Sequence, residues 1–153
     1  MVKYICLLLG SLLVLGAASA ALGKGGDMDT ADLSKYLWRH RLLLIFSSSG
    51  QTPAFQQLAN QLKQQREGVA DRDLIVFSIM SDDQSRVGED VLSRQAAENL
   101  RRRFQVTKEE FRVVLLGKDG TVKLSQPSVR LSEVFALIDS MPMRQREMRE
   151  KAR

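Results

Sequence analysis

Two continuous, mainly apolar runs most constrain the fold of this chain. They are LLLIF at residues 42–46 and LIVFSIM at residues 74–80, where only Ser78 is polar. Runs of this length, rich in branched and aromatic side chains, are typical of strands that are buried on both faces. A sheet buried on both faces needs helices on each side, so the two runs predict an α/β fold.

The segments next to the runs predict two helices and a third strand. Thr52 is placed to cap a helix and Pro53 to open it, and apolar residues then recur at helical spacing as far as Gly68. A second helix is predicted over residues 91–104 because apolar residues again recur at helical spacing, and an apolar run predicts a third strand over residues 111–116.

The rest of the chain completes one sheet. The Asp-Gly pair at residues 119–120 predicts a hairpin turn, which leads into a short fourth strand over residues 121–124. A last helix is predicted to start at Ser128 or Ser132, and Pro142 is expected to end or kink it. The order β-α-β-α-β-β-α therefore predicts a mixed four-stranded sheet with helices on both faces.

Residues 1–20 have the pattern of a cleavable signal peptide. Lys3 is followed by an apolar run of about a dozen residues, and Ala18-Ser19-Ala20 predicts cleavage after Ala20. The run is shorter than the ~20 residues of a membrane helix, which makes an uncleaved anchor the less favoured alternative. We therefore expect a secreted or periplasmic protein with no transmembrane segment after cleavage.

The expected mature chain has three parts. Residues 21–32 are predicted to be a flexible lead-in, residues 33–143 the folded domain, and residues 144–153 a basic C-terminal tail. An exported protein has little access to nucleic acid, so we expect a protein or an anionic glycan as the partner of any basic surface.

Cysteine usage limits the chemistry that this chain can perform. The sequence has one cysteine, Cys6, and it lies inside the predicted leader. Thiol–disulfide exchange requires a thiolate, so a mature chain without cysteine has no thiol-redox activity of its own. The sequence has no recognisable catalytic motif, and it predicts no metal site and no cofactor. An enzyme is therefore the less favoured hypothesis.

Four segments together resemble a known family. They are WRHRLLLIF at residues 38–46, DRDL at 71–74, LGKDGTVK at 116–123 and IDSMPMR at 138–144. Their combination is similar to the thioredoxin-like family called domain of unknown function 4174, found in exported bacterial proteins and in animal sushi-repeat and coiled-coil-domain-containing matrix proteins. The resemblance implies a thioredoxin-like fold and a loose association with matrix binding and adhesion. It implies no established enzymatic activity.

The resemblance also locates the region where thioredoxins carry their two cysteines. Those cysteines follow the first strand and open the first helix, which corresponds to residues 47–53 here. Gly50 and Pro53 stand about where the cysteines would be. The proline that usually precedes the third strand of thioredoxins is also missing, so both hallmarks of the thioredoxin site are absent from this sequence.

The same loop is a candidate anion site. Ser47, Ser48, Ser49 and Gly50 precede the helix that Thr52 is predicted to cap. A helix N-terminus offers free N–H groups and the positive end of the helix dipole, which suit an anion. The alternative is an ordinary capped loop, since every helix N-terminus needs hydrogen-bond acceptors.

Two further pairs are candidate contact residues. Trp38 and Arg39 combine the residue types that are enriched at protein interfaces. The alternative is that Trp38 lies in the core and the neighbouring arginines pair with acids. Arg144 and Arg146, in the predicted basic tail, could meet an anionic partner, and the alternative is a solvated charge run.

The sequence favours a non-enzymatic exported binding module of unknown ligand. Two alternatives stay open. One is an oxidoreductase-class protein that acts through the thiols of a partner or a bound cofactor. The other is an adhesion domain that binds an anion or a glycan.

Overall fold

The two apolar runs form the central pair of strands in a single sheet. The structure is a computed structural model, and it describes residues 32–153. The predicted signal peptide and nearly all of the predicted lead-in lie outside the described residues. The elements, after a short 3₁₀ helix at Leu33–Tyr36, are β1 Arg41–Ser47, α1 Pro53–Gln64, α2 Arg66–Asp71, β2 Leu74–Met80, β3 Arg86–Val87, β4 Asp90–Val91, α3 Arg94–Phe104, β5 Arg112–Leu116, β6 Val122–Gln126, α4 Leu131–Asp139 and α5 Pro142–Lys151.

The strand order of the sheet is β4-β3-β2-β1-β5-β6. β1 and β2 are parallel, with Arg41 opposite Leu74 at their amino ends and Ser47 opposite Met80 at their carboxyl ends. β5 runs antiparallel to β1 and continues through a hairpin into β6. The carboxyl end of β5 therefore lies beside the amino end of β1.

The core consists of two layers on opposite faces of β1. Leu44 and Phe46 point to the face covered by α3, and Leu43 and Ile45 point to the face covered by α1 and α4. Alternate residues of a strand face opposite sides of a sheet, so a run that is apolar at every position fits a strand between two layers of helices. The predicted α/β class with helices on both faces is confirmed.

The described sheet has six strands, whereas the sequence predicts four. The additional strands, β3 and β4, are two residues each. β3 lies within residues 81–88, whose polar composition predicts a loop. Only Val87 of these four residues is buried. Strands this short carry no periodic apolar pattern, so the sequence gives no signal for them.

The prediction for the first helix also needs correction in two respects. The first helix is interrupted at Gln65, so that α1 and α2 are separate. Gly68 lies inside α2 rather than ending a helix, and a Cβ atom there would stand 2.8 Å from the ring of Phe135 on α4. The glycine thus permits a close approach of α2 to α4.

The C-terminal segment is helical and packed against the domain, where the sequence predicts a tail. The preceding helix, α4, ends at Asp139, and Pro142 is the first residue of a further helix, α5, a position at which its missing N–H costs no hydrogen bond. α4 begins at Leu131 after Arg130 rather than at either predicted serine. Among residues 32–153, no helix combines the length and apolar character needed to cross a membrane.

Candidate functional site

The loop after β1, at the carboxyl end of the parallel strands, is closed by its own hydrogen bonds. The hydroxyl of Ser47 lies 2.9 Å from the carbonyl oxygen of Ser49 and 3.0 Å from the hydroxyl of Thr52. The amide of Gly50 donates to the carboxylate of Asp83 at 2.7 Å. A carboxylate of the chain itself therefore occupies the place where the sequence predicts an external anion.

Thr52 occupies the predicted N-cap position of α1 but makes no side-chain cap hydrogen bond. Its hydroxyl meets Ser47 and, at 3.3 Å, the hydroxyl of Ser48. The five predicted loop residues thus lie together. The hydroxyl groups of Ser47 and Ser48 both meet that of Thr52, and the hydroxyl of Ser49 accepts from the amide of Gln51 at 3.1 Å.

Arg101 ties the carboxyl ends of β1 and β2 together. Its buried guanidinium donates to the main-chain carbonyls of Ser47, Ile79 and Thr107. Burial lowers the pKa of Arg101, and the nearby carboxylate of Asp82 opposes that effect only in part. The apolar positions of the second predicted helix place Arg101 on its outer face, and this is wrong, because the side chain is buried and donates to three main-chain carbonyls.

A cavity of about 400 Å³ lies next to this end of the sheet, between α3 and the segment that follows β2. Its charged lining is balanced, so it does not select for one sign of charge. The lining carboxylates and cations are Asp82, Asp83, Glu98, Arg94, Arg101 and Lys108.

Trp38 stands at the opposite end of the sheet, and its side chain is 69% exposed. Its backbone is in the left-handed region, with φ of 63°, and its amide donates to the carbonyl of Lys118 at 2.7 Å. Leu37 packs on the β5–β6 turn, where a Cβ atom on Gly120 would lie 2.5 Å from its Cδ2 atom. Arg39 is also exposed. The alternative that Trp38 belongs to the core is therefore wrong.

Arg41, which directly precedes the first apolar run, anchors a charged cluster at this amino end. Its side chain is 1% exposed, and its two terminal nitrogens lie 3.1 and 3.2 Å from the carboxylate oxygens of Glu147 on α5. Lys118 contacts the same carboxylate at 2.8 Å and Asp73 at 2.7 Å. Burial alone would raise the pKa of Glu147, but the hydrogen bonds from Lys118 and Arg41 outweigh it and hold that pKa below its usual range.

Arg144 extends the cluster along α5. Its side chain is 2% exposed and is paired with Asp71, with Asp139 at 3.2 Å and with Glu147 at 3.6 Å. Burial opposes its charge, but the hydrogen bonds to Asp71 and Asp139 outweigh burial and raise the pKa of Arg144. The prediction of a solvated basic tail is therefore corrected at Arg144, whereas Arg146 is exposed.

The four segments that carry the family resemblance meet at this end of the sheet. Arg41, residues 71–73, Lys118 and residues 139–144 all contribute to the cluster. Sequence reasoning missed the cluster because its partners lie far apart in the chain. One signal was available: Arg41 and the segment 71–73 directly precede the two buried runs, and parallel strands bring their amino ends together.

A second cavity, of about 320 Å³, lies against this cluster, and we name it the amino-end cavity. Its charged lining has three cations and one carboxylate, and the other side chains are mainly apolar. The lining residues are Arg41, Lys118, Lys123, Asp119, Gly117, Leu137, Met141, Pro142 and Met143.

Comparison with known proteins identifies the family of the chain. The family described as domain of unknown function (DUF4174) matches residues 32–147 of the chain, which include both ends of the sheet and most of α5. The chain belongs to this DUF4174 family.

The DUF4174 chain is similar to a much longer animal protein. It is 30% identical over 133 residues to coiled-coil domain-containing protein 80 of Danio rerio. That alignment covers 76% of this chain and 15% of the relative, so the chain spans only a small part of the relative's length.

The fold of the DUF4174 chain is thioredoxin-like. Its structure is similar to that of Plasmodium yoelii thioredoxin peroxidase I, with a TM-score of 0.51 over 74% of this chain and 79% of that protein. The sequence identity is 14%, so the likeness concerns the fold alone.

Proposed function

We propose that this domain is a non-enzymatic, extracytoplasmic module that binds a protein partner through a surface centred on Trp38. The observation that carries the proposal is the exposure of Trp38, which is 69% accessible, on a backbone that a hydrogen bond to Lys118 holds in place.

A redox function has little support in the residues of the domain. No cysteine occurs in residues 32–153, and Gly50 and Pro53 stand where thioredoxins have theirs. The hydroxyl groups of Ser47 and Thr52 are engaged with each other at 3.0 Å. An oxidoreductase would have to take its thiols from a partner, since thiolate is the nucleophile of that chemistry.

The conformation of Trp38 supports a contact role. A bulky residue with positive φ is an uncommon conformation, and backbone strain of this kind costs about 1–3 kcal/mol. In the core, such a cost would be offset by burial, but here the indole gains little burial. The amide contact with Lys118 fixes the backbone from which the indole projects, so a partner would meet the aromatic side chain at a defined place on the surface.

The neighbours of Trp38 indicate the chemistry of the partner. Leu37 is partly exposed beside it, and Arg39 is exposed and cationic. Trp and Arg are the residue types that most often dominate binding energy at protein interfaces. We expect a partner with an apolar recess for the indole and acidic groups near Arg39.

A role for the C-terminal segment in binding glycans has weaker support. Arg144 is buried in ion pairs, and Lys151 lies 2.8 Å from the carboxylate of Asp71. Two of the cations that would form a basic surface are thus neutralised within the domain.

Site-specific photo-crosslinking tests the proposal. A benzoylphenylalanine is placed at position 38 or, as a control, at Val91. Val91 is 51% exposed and lies on β4, the edge strand of the sheet farthest from β6. The expected result is a discrete protein adduct from position 38 in the native extracytoplasmic fraction and none from position 91.

The variant Trp38→Asn provides the competition control. Asn tolerates the left-handed region, so the variant is expected to fold as the wild type does. Excess wild-type domain should suppress the adduct and excess Trp38→Asn should not. Equal crosslinking from both positions, or equal suppression by both competitors, would contradict the proposal.

A further inference from the structure

We propose that the amino-end cavity binds a small monocarboxylate with an apolar body, such as a medium-chain fatty acid. This site is distinct from the Trp38 surface, and the inference does not rest on the protein partner.

The size and walls of the cavity fit an apolar body. A volume of about 320 Å³ lies at the lower end of the range of small-molecule sites. At roughly 30 Å³ per heavy atom, the volume share of one water in the liquid, it would take about ten such atoms. Leu137, Met141 and Met143 line it, and methionine side chains adapt readily to ligand shape.

The polar side of the cavity fits a single carboxylate. Arg41, Lys118 and Lys123 line it, against one carboxylate, Asp119. The hydrogen bond from Lys123 holds the pKa of Asp119 low, so this carboxylate is charged and pairs with Lys123 at 2.8 Å. Arg41 is bound to Glu147 through both terminal nitrogens, so Lys118 is the cation on which a ligand can act.

Lys118 retains hydrogen-bonding capacity. It has three donor hydrogens, and its two described contacts are with Asp73 and Glu147. Its side chain is 11% exposed, whereas Arg41 is 1% exposed and both of its terminal nitrogens meet Glu147. A ligand carboxylate would accept the remaining hydrogen of Lys118 in a charge-assisted hydrogen bond.

The same residues disfavour other anions. Asp73 and Glu147 already contact Lys118, and each negative charge on a ligand adds repulsion, so a doubly charged phosphate would be repelled more strongly than a monocarboxylate. A polymer would not enter a cavity of this volume. A monoanion whose remaining surface is apolar matches both the charge and the walls.

Calorimetric titration with octanoate and with octanamide tests the inference. The two probes share the apolar chain and differ in charge. We expect saturable 1:1 binding of octanoate and at least tenfold weaker binding of octanamide. Because Trp38 is the single tryptophan and its amide contacts Lys118, its fluorescence gives a second readout for octanoate.

Three variants locate the binding. Lys118→Met removes a lining charge, and Lys63→Met makes the same charge change at an exposed position on α1. Leu137→Phe reduces the cavity volume and leaves every charge in place, so it keeps the test decisive if Lys118→Met unfolds. The first and third variants should weaken octanoate binding at least tenfold, and Lys63→Met should match the wild type.

Three results would overturn the inference. They are the absence of saturable octanoate binding at millimolar concentration, equal affinity for octanoate and octanamide, and unchanged affinity in folded Leu137→Phe. Retained octanoate binding in Trp38→Asn would support a site that is independent of the protein-binding surface.

Discussion

The position of α5 should depend on one buried guanidinium. Arg144 is the only buried residue of that helix, and it reaches the carboxylates of Asp71, which precedes β2, and Asp139, at the end of α4. Replacing it by Met keeps an unbranched side chain of similar length and removes all of these hydrogen bonds.

The expected loss of stability depends on how well water can replace the ion pairs of Arg144. Breaking a fully buried ion pair costs about 3–5 kcal/mol. Asp71 and Asp139 are 45% and 32% exposed, so water can solvate them once Arg144 is gone. Asp139 also keeps a 2.6 Å contact with Arg72. We therefore expect the free energy of unfolding to fall by about 2 kcal/mol, or the Tm by about 6–10 °C for a domain of this size.

Urea denaturation followed by circular dichroism measures this difference. The matched control is Arg146→Met, which makes the same change on the same helix at an exposed position. Exposed substitutions usually change stability by less than about 0.5 kcal/mol. A loss below that value for Arg144→Met, or equal losses for both variants, would refute the assignment of Arg144 as the anchor of α5.

Two further predictions concern the charged groups at the two ends of the sheet. Hydrogen bonds, first from Lys151 and then from Arg144, hold the pKa of Asp71 below its ordinary value of 3.8, and the pKa of Glu147 is also lowered. Both carboxylates therefore stabilise the folded state at pH values above their pKa in the unfolded chain, and this stabilisation is lost as the pH falls through their folded-state pKa. The free energy of unfolding should therefore decline below pH about 4, less steeply in Arg144→Met, and parallel profiles for the two proteins would contradict this. At the carboxyl end, Arg101→Met removes the guanidinium donors from the carbonyls of Ile79 and Thr107, whereas the carbonyl of Ser47 keeps the amide of Ser81 at 3.2 Å. The substitution should cost about 2–3 kcal/mol in urea denaturation, and a cost equal to that of exposed Arg102→Met would show that the guanidinium does not tie the strands together.

The central elements of the fold were predictable because their signals are local. A strand buried on both faces needs an apolar residue at every position, and residues 42–46 show this directly. The Asp-Gly turn at residues 119–120 needs only its own backbone preferences, and Gly120 has φ of 74° in the hairpin between β5 and β6. Neither feature depends on a distant partner.

The charged cluster was not predictable for the opposite reason. Arg144 and Asp71 are 73 positions apart in the chain, and Arg41 and Glu147 are 106 apart. Their pairing depends on how α5 packs, and the polar composition of α5 gives no apolar stripe from which that packing could be read. Charged runs are usually exposed, so the sequence did not indicate that Arg144 in this run is buried.

The exposure of Trp38 also depends on a residue that is distant in the chain. A large aromatic residue beside an apolar run favours a core position on composition alone. What keeps it outside is a backbone conformation fixed by the carbonyl of Lys118, eighty positions later in the chain. Side-chain type gave the interface hypothesis, but only the tertiary contact separates that hypothesis from burial.

The two ends of the sheet differ in how easily their side chains can meet another molecule, and this difference supports the proposed contacts at the amino end. At the carboxyl end, the amide of Gly50 already has the carboxylate of Asp83, and Arg101 already has three carbonyls. A ligand there would have to displace hydrogen bonds of the domain before it gained any. At the amino end, Trp38 is 69% exposed and Lys118 keeps a third donor hydrogen beyond its contacts with Asp73 and Glu147, so a bound molecule gains contacts without first breaking the fold. The proposed Trp38 surface and the amino-end cavity therefore lie at the end of the sheet opposite to the position of the thioredoxin cysteines.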